Sequence, residues 1–214
     1  MVNGSGKSEI KGLLVDLMQP TLRKGPFSGE AWLFEPKWDG YRAVCYLEEG
    51  TVRFVSRNKR SLTEKFPELQ SIVKEVRAKV AVLDGEIVAL DAEGMPSFDR
   101  LRSRKRGRDF AIVFYAFDLV YVDGRNLMDE PLVDRKRALR ELLSKRGIGR
   151  IRYTDHVLGE GDSFFGELEK RGLEGMVAKR IDSRYRGGRT QAWLKIKTEA
   201  GKKEMQRRSR SWKR

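Results

Sequence analysis

Residues 35–44 read EPKWDGYRAV, a lysine, an aspartate and an arginine gathered around a tryptophan and a glycine. The flanking chain is strand-like: AWLFEP (31–36) precedes it, and YRAVCYL (41–47) and TVRFVS (51–56) follow, rich in aromatic and β-branched residues. Glu49-Gly50 marks a turn between the last two. Lys37, Asp39 and Arg42 therefore stand at the joint between two strands. Such a joint is either a solvated charged hairpin or a rigid mount for a reactive amine, because strand ends fix side chains around a cleft.

The same pattern continues outward. VAVLDGEIVALD (80–91) reads as two buried strand segments around Asp84-Gly85, and FAIVFYAFDLVYVDG (110–124) as a long apolar strand ending in a turn. EGMVAKR (174–180) and AWLKIK (192–197) are short strands. TEKFPELQSIVKEVRAK (63–79) has helical spacing after a threonine cap, with Pro67 confining the regular helix to the later part. PLVDRKRALRELLSKRG (131–147) opens on proline, closes on glycine and spaces its leucines helically; FFGELEKRG (164–172) is a shorter helix. Strands and helices do not alternate as a doubly wound sheet requires, so the expected class is α+β with mostly antiparallel sheets.

Composition narrows the partners. The 214 residues suffice for one sizeable core, and 36% charged residues against 39% apolar fit a globular chain with a heavily charged surface. A net charge of +14 favours a polyanion, nucleic acid first. DRLRSRKRGRD (99–109) and GKKEMQRRSRSWKR (201–214) are too polar for a core and read as solvated segments or phosphate contacts. The lone Cys45 excludes an intrachain disulfide and a cysteine-rich zinc site, and the lone His156, with no GxSxG beside it, reads as structural. GSGKS near the start lacks the first glycine and the preceding strand of a P-loop. No stretch has the length of a membrane span and no signal peptide opens the chain, so a cytoplasmic, nucleoid-associated location without membrane contact is expected.

After KWDGYR come SRN (56–58), DGE (84–86), YAFD (115–118), EGMVAKR and WLKIK (193–197), each placing a charged or aromatic residue at a strand end. KxDGxR followed by these motifs in this order resembles the covalent nucleotidyltransferases, and most of all the ligase domain of bacterial and archaeal end-joining, ATP-dependent DNA ligases. The resemblance runs from about Met18 to Lys197. It implies an ATP-grasp-like nucleotidyltransferase fold with helices flanking the sheets, ATP and Mg²⁺ (or Mn²⁺) as cofactors, and nicked duplex DNA as partner.

It also implies roles. Lys37 would be the nucleophile that forms lysine–AMP, with Asp39 orienting its loop. Arg57, Lys195 and Lys197 would lower the lysine's pKa and stabilise phosphate charge. Glu86 and Glu174 would hold the metal or the ribose, Phe117 would stack on adenine, Arg42 would meet ribose or the DNA end, and Glu35 would read the adenine amino group through its carboxylate or its backbone carbonyl. Trp38 and Tyr41 are expected to pack.

Three segments follow: residues 1–9 as a flexible start, 10–197 as the adenylation domain and 198–214 as a basic tail. The C-terminal OB-fold domain usual in the family is expected to be absent, with end-joining or repair proteins supplying missing domains to a monomer. An RNA ligase, or a catalytically weak nucleic-acid-binding domain needing a partner in trans, remains the alternative.

Overall fold

The computed structural model describes Ile10 and residues 15–103, 110–143 and 149–211. In chain order the elements are β1 (Met18–Leu22), β2 (Gly29–Pro36), β3 (Tyr41–Glu48), β4 (Thr51–Ser56), a 3₁₀ helix (Pro67–Lys74), β5 (Val80–Leu90), α1 (Phe98–Ser103), β6 (Ala111–Val122) and β7 (Arg125–Asn126). There follow α2 (Leu132–Leu142), β8 (Ile151–Tyr153), β9 (Val157–Gly159), α3 (Gly161–Lys170), β10 (Gly175–Arg180), β11 (Gly188–Lys197) and α4 (Glu199–Ser211).

Two sheets face each other. One runs β1-β11-β10-β2-β9; the other runs β4-β3-β5-β6-β7, with β8 also paired to β6. Pairing is antiparallel except for β1 with β11 and β6 with β8. Side chains alternate along a strand, so β3, covered on both faces, is apolar and buried from Ala43 to Leu47. Ala43, Cys45 and Leu47 join one core with Leu69 and Ile72 of the 3₁₀ helix and Leu139 and Leu142 of α2. Val44 and Tyr46 face the other way, into the core between the sheets, with Val82, Phe117, Tyr185 and Trp193. Cys45 is a buried free thiol in the first of these cores. A third core lies outside the other sheet, where Phe34, Met176, Ala178 and Ile196 meet Leu168 of α3.

The β2–β3 connection passes from one sheet to the other, and Lys37 lies on it. The strand joint of the sequence is thus a joint between sheets.

Three local expectations change. VAVLDGEIVAL is one continuous strand, not two segments. Gly85 is a close-approach residue rather than a turn: a Cβ there would lie 2.4 Å from Phe114 Cζ and 2.5 Å from the carbonyl oxygen of Tyr115. Gly85→Ala is therefore expected to cost about 1–3 kcal/mol, read as an earlier denaturant midpoint at unchanged slope. The helix expected over 63–79 is reduced to 3₁₀ turns over Pro67–Lys74, whose buried Leu69 and Ile72 repeat at the three-residue spacing of that helix. The basic tail, as far as it is described, is not irregular: Glu199–Ser211 is helical, with Lys202, Lys203, Met205, Gln206 and Arg207 exposed. Thr198 starts it, its Oγ1 accepting from Gly201 N (3.2 Å) while donating to Leu173 O (2.5 Å). Residues 1–9, 11–14, 104–109, 144–148 and 212–214, including most of the first basic run, lie outside the described residues.

One buried pair ties α2 to the sheet. Arg135 Nε and Nη2 each donate at 2.8 Å to the two carboxylate oxygens of Asp118, the last residue of YAFD. Its Nη1 donates to the carbonyls of Glu130 (2.6 Å) and Ser183 (2.8 Å). Both side chains are completely buried.

Candidate active site

A cleft of ≈ 230 Å³ opens between the sheets. On β2, β10 and β11 the residues that do not face the outer core face this cleft: Glu35, Val177, Lys179, Trp193 and Lys195. The opposite sheet contributes Arg42, Arg57, Glu86 and Phe117, and Lys37 and Trp38 line the crossing loop. Seven of the ten expected site residues thus meet here: Glu35, Lys37, Arg42, Arg57, Glu86, Phe117 and Lys195. Glu174 and Lys197 join through ion pairs, and Asp39 turns away.

Lys37 is held from both ends. Its N–H donates to Gly175 O (2.8 Å), extending the β2–β10 pairing by one residue. Its Nζ donates to Glu174 Oε2 at 2.5 Å, and Glu174 Oε1 lies 3.4 Å from Lys197 Nζ. Burial, then Lys37, Lys197, Arg189 and Arg57, pull the Lys195 pKa down, as expected where several cations share a space built for a polyanion. Arg189 also lines the cleft.

Glu86 stands opposite without a hydrogen-bond donor among the described residues. Burial pushes its pKa up to about 8; Lys37 and Arg42 oppose this, and Glu174 and Asp39 reinforce it. The folded chain therefore binds this proton more tightly than the unfolded chain, whose glutamate has a pKa of about 4.3. Stability from this group is present at low pH and falls as pH rises from about 4.5 to 8. Glu86→Gln is expected to match wild type at pH 5 and to melt a few degrees higher at pH 8.5. Parallel melting curves across this range would contradict that sign.

Arg42 is fixed rather than free. Its Nε and Nη2 donate to Asp84 Oδ1 (2.7 Å) and Oδ2 (2.6 Å), and Nη2 also reaches Met18 O (3.1 Å). Tyr185 Oη donates to the same Asp84 Oδ2 (2.7 Å). Burial alone would lower the arginine pKa; Asp84 overrides it and the net direction is upward. The guanidinium lies 4.7 Å from the Phe117 ring centre, and Lys179 Nζ lies 4.2 Å from it. The β5–β6 register shifts beside Asp84, a local irregularity of the kind found next to sites.

One of the two routes expected for Glu35 is closed, and Asp39 finds its partner outside the cleft. The Glu35 carboxylate is not available to read an amino group, because it is buried with Lys136 Nζ 2.5 Å from Oε1 and Lys179 Nζ 2.6 Å from Oε2. A buried carboxylate needs such partners, and two lysines occupy both oxygens. Burial lowers the Lys179 pKa to about 8 against the pull of Glu35. Asp39 does not line the cleft; it accepts two hydrogen bonds from Arg208 of α4. Trp38 packs as expected, stacked on Tyr115 at 3.8 Å. Tyr41 leans on Phe66 and Phe98. His156 meets the Tyr153 hydroxyl (3.2 Å), and burial lowers its pKa.

The sequence reading missed Lys179, Lys136, Arg189 and Trp193. Lys179 was legible, since it alternates with Val177 on one strand. Lys136 was not, because a lysine in a charged helix gives no sign that packing will bury it.

No cluster of three or more metal-ligating side chains exists among the described residues. Glu86 and Glu174 supply two hard carboxylates near Lys37, which suits a cation whose remaining ligands are phosphate oxygens and water.

Residues 16–197 match the family described as ATP dependent DNA ligase domain. The multifunctional non-homologous end joining protein LigD of Mycobacterium bovis is 41% identical over 167 residues, 78% of this chain and 21% of that protein. LigD of Pseudomonas aeruginosa is 35% identical over 196 residues, 90% of this chain and 23% of its own. A DNA ligase of Pyrobaculum calidifontis is 38% identical over 182 residues, 79% of this chain and 31% of that ligase. The chain thus spans about a fifth of the length of its LigD relatives. Among solved structures, mycobacterial DNA ligase D complexed with ATP and MES superposes with a TM-score of 0.72 at 36% identity, covering 85% of this chain and 60% of that one. The ligase domain of LigD from M. tuberculosis gives 0.71 at 38% identity, covering 85% and 58%. By family and by fold, the chain belongs to the ATP-dependent DNA ligase domain family.

Proposed function

We propose that this chain transfers AMP from ATP to Lys37 and then to the 5′-phosphate of a nick in duplex DNA, supporting strand sealing in end joining or repair. The observation that carries the reading is the placement of Lys37 Nζ between two sheets, beside Glu174 and among Lys195, Lys197, Arg57 and Arg189.

In the resting arrangement Lys37 donates to Glu174 and is an ammonium, which cannot attack. The proton must leave before attack, and Glu174 Oε2, already the acceptor of this N–H, is placed to take it. The neutral amine then attacks the α-phosphorus: an N–P bond forms, the P–O bond to pyrophosphate breaks, and a second proton passes from the nitrogen to water. Lys195, Arg57 and Arg189 neutralise the phosphate oxygens as charge shifts to the leaving group. Bound between Glu86 and Glu174, Mg²⁺ or Mn²⁺ would add positive charge at those oxygens. Phe117 stacks on adenine, and Arg42, locked by Asp84, offers its remaining N–H groups to ribose or to the DNA end.

In the second transfer an oxygen of the DNA 5′-phosphate attacks the same phosphorus. The N–P bond breaks and Lys37 regains its protons. The 3′-hydroxyl then attacks the activated 5′-phosphate: an O–P bond forms, the hydroxyl proton passes to water, and the bond to AMP breaks. The basic surface holds the duplex by its backbone, without reading sequence.

The test is to charge the protein with α-labelled ATP and Mg²⁺, remove free nucleotide, and add nicked duplexes with a DNA or an RNA 5′-phosphate strand. The label is expected to move to the DNA strand. Movement to the RNA strand alone would make the chain an RNA ligase, and retention on protein with both would deny the second transfer.

A further inference from the structure

The described part of the basic tail is built into the site. At its start, Thr198 N donates to Glu174 O (3.2 Å), and α4 passes so close that a Cβ on Gly201 would lie 2.0 Å from that same oxygen. Two turns later Arg208 reaches Asp39. Its Nη1 donates to Oδ1 at 2.9 Å and its Nη2 to Oδ2, the paired geometry that makes arginine–carboxylate contacts directional. Glu204 accepts from Nε (2.7 Å), and the guanidinium lies 4.1 Å from the Phe98 ring centre. The pair is largely out of water, with the arginine side chain 27% and the aspartate 18% exposed.

Asp39 is two residues from Lys37, and Glu174 is the ion-pair partner of Lys37 Nζ. Helix α4 therefore bridges the two backbone segments that hold the amine. We infer that Arg208 is a positioning residue for nucleotidyl transfer: through Asp39 it fixes the loop carrying Lys37, so that α4 acts as a splint across the site rather than as a free DNA-binding arm. The inference rests on the function proposed above. Its chemistry is local. With Arg208 in place, Asp39 is neutralised and held away from the cleft, leaving Glu86 and Glu174 as the carboxylates that face Lys37. Without it, Asp39 is an unpaired charge beside the nucleophile, and the loop loses its outer anchor. Arg207, by contrast, pairs with Asp99 and Glu204 at an exposed position and does not touch the Lys37 loop.

The test is a double-mutant cycle on the rate of AMP attachment to the protein, measured at saturating and limiting ATP. Arg208→Ala and Asp39→Asn are each expected to slow the step by roughly tenfold at saturating ATP, with KM for ATP changed less than about twofold, because misplacement of a reacting group acts on the chemical step. The double variant is expected to be no slower than the slower single variant. Arg207→Ala is expected to stay within about twofold of wild type. Three results would each overturn the inference: a wild-type rate in Arg208→Ala, a double variant in which the two losses multiply, or an equal loss in Arg207→Ala, which would point to general undocking of the helix. A wild-type protein that takes no AMP would instead reject the proposed function, so the two failures are distinguishable.

Discussion

Lys37→Ala is expected to abolish attachment of AMP to the protein while leaving the fold intact. The Lys37 side chain is 23% exposed, lines the cleft and belongs to none of the four apolar cores among the described residues, so its loss removes chemistry rather than packing. Glu174 keeps Lys197 as a partner, which limits the penalty of unpairing it. Loss of the nucleophile should cost on the order of a thousandfold or more, because no other group can form the same intermediate in register with the phosphate-binding cations. Lys195 is the test of that statement. It shares the cleft and has a lowered pKa, yet it lies on a strand rather than on the crossing loop and lacks the short contact to Glu174. Residual labelling of Lys37→Ala comparable to wild type would mean that another lysine is the acceptor.

The second large effect is on stability. Arg135→Ala is expected to destabilise the fold by about 3–5 kcal/mol, because it leaves Asp118 a buried charge without its partner. For a chain of this size that corresponds to a fall of roughly 6–20 °C in Tm. Set against total stabilities of about 5–15 kcal/mol, it brings the domain close to unfolding. The bidentate pair and the two carbonyl contacts join α2, β6 and the loop before Tyr185, so no single element can relax to rescue it. Replacing both partners, Arg135→Met with Asp118→Leu, should recover much of the loss, since the penalty lies in the unpaired charge. A Tm change under about 2 °C in Arg135→Ala would show that solvent reaches the site, against its complete burial.

How far the sequence disclosed this protein depended on whether a property is local. The strand joint at Lys37 and the faces of WLKIK and EGMVAKR follow from alternation along single strands, and Lys195 and Lys179 do fall on the cleft side. The α+β class also follows from local pattern, because apolar runs of strand composition outnumber helical ones. The errors came where distant chain enters. Gly85 looks like a turn until Phe114 is laid across it. The apolar spacing after Pro67 fits two helix types, since Leu69 and Ile72, three apart, share a face in either, and the chain takes the 3₁₀ form. Glu35 looks like a free carboxylate until α2 brings Lys136 to it across 101 residues of sequence. Asp39 and Arg208 are 169 residues apart, and nothing local to either predicts their pairing.

The most direct measurement is intact mass and peptide mapping after incubation with ATP and Mg²⁺, under neutral conditions that preserve a phosphoramidate. A single AMP adduct on the peptide containing Lys37, lost on mild acid treatment and discharged by pyrophosphate, is the expected result. An adduct on a different residue, or a chain that binds ATP in the cleft but never acquires AMP, would contradict the assignment of Lys37 as the nucleophile.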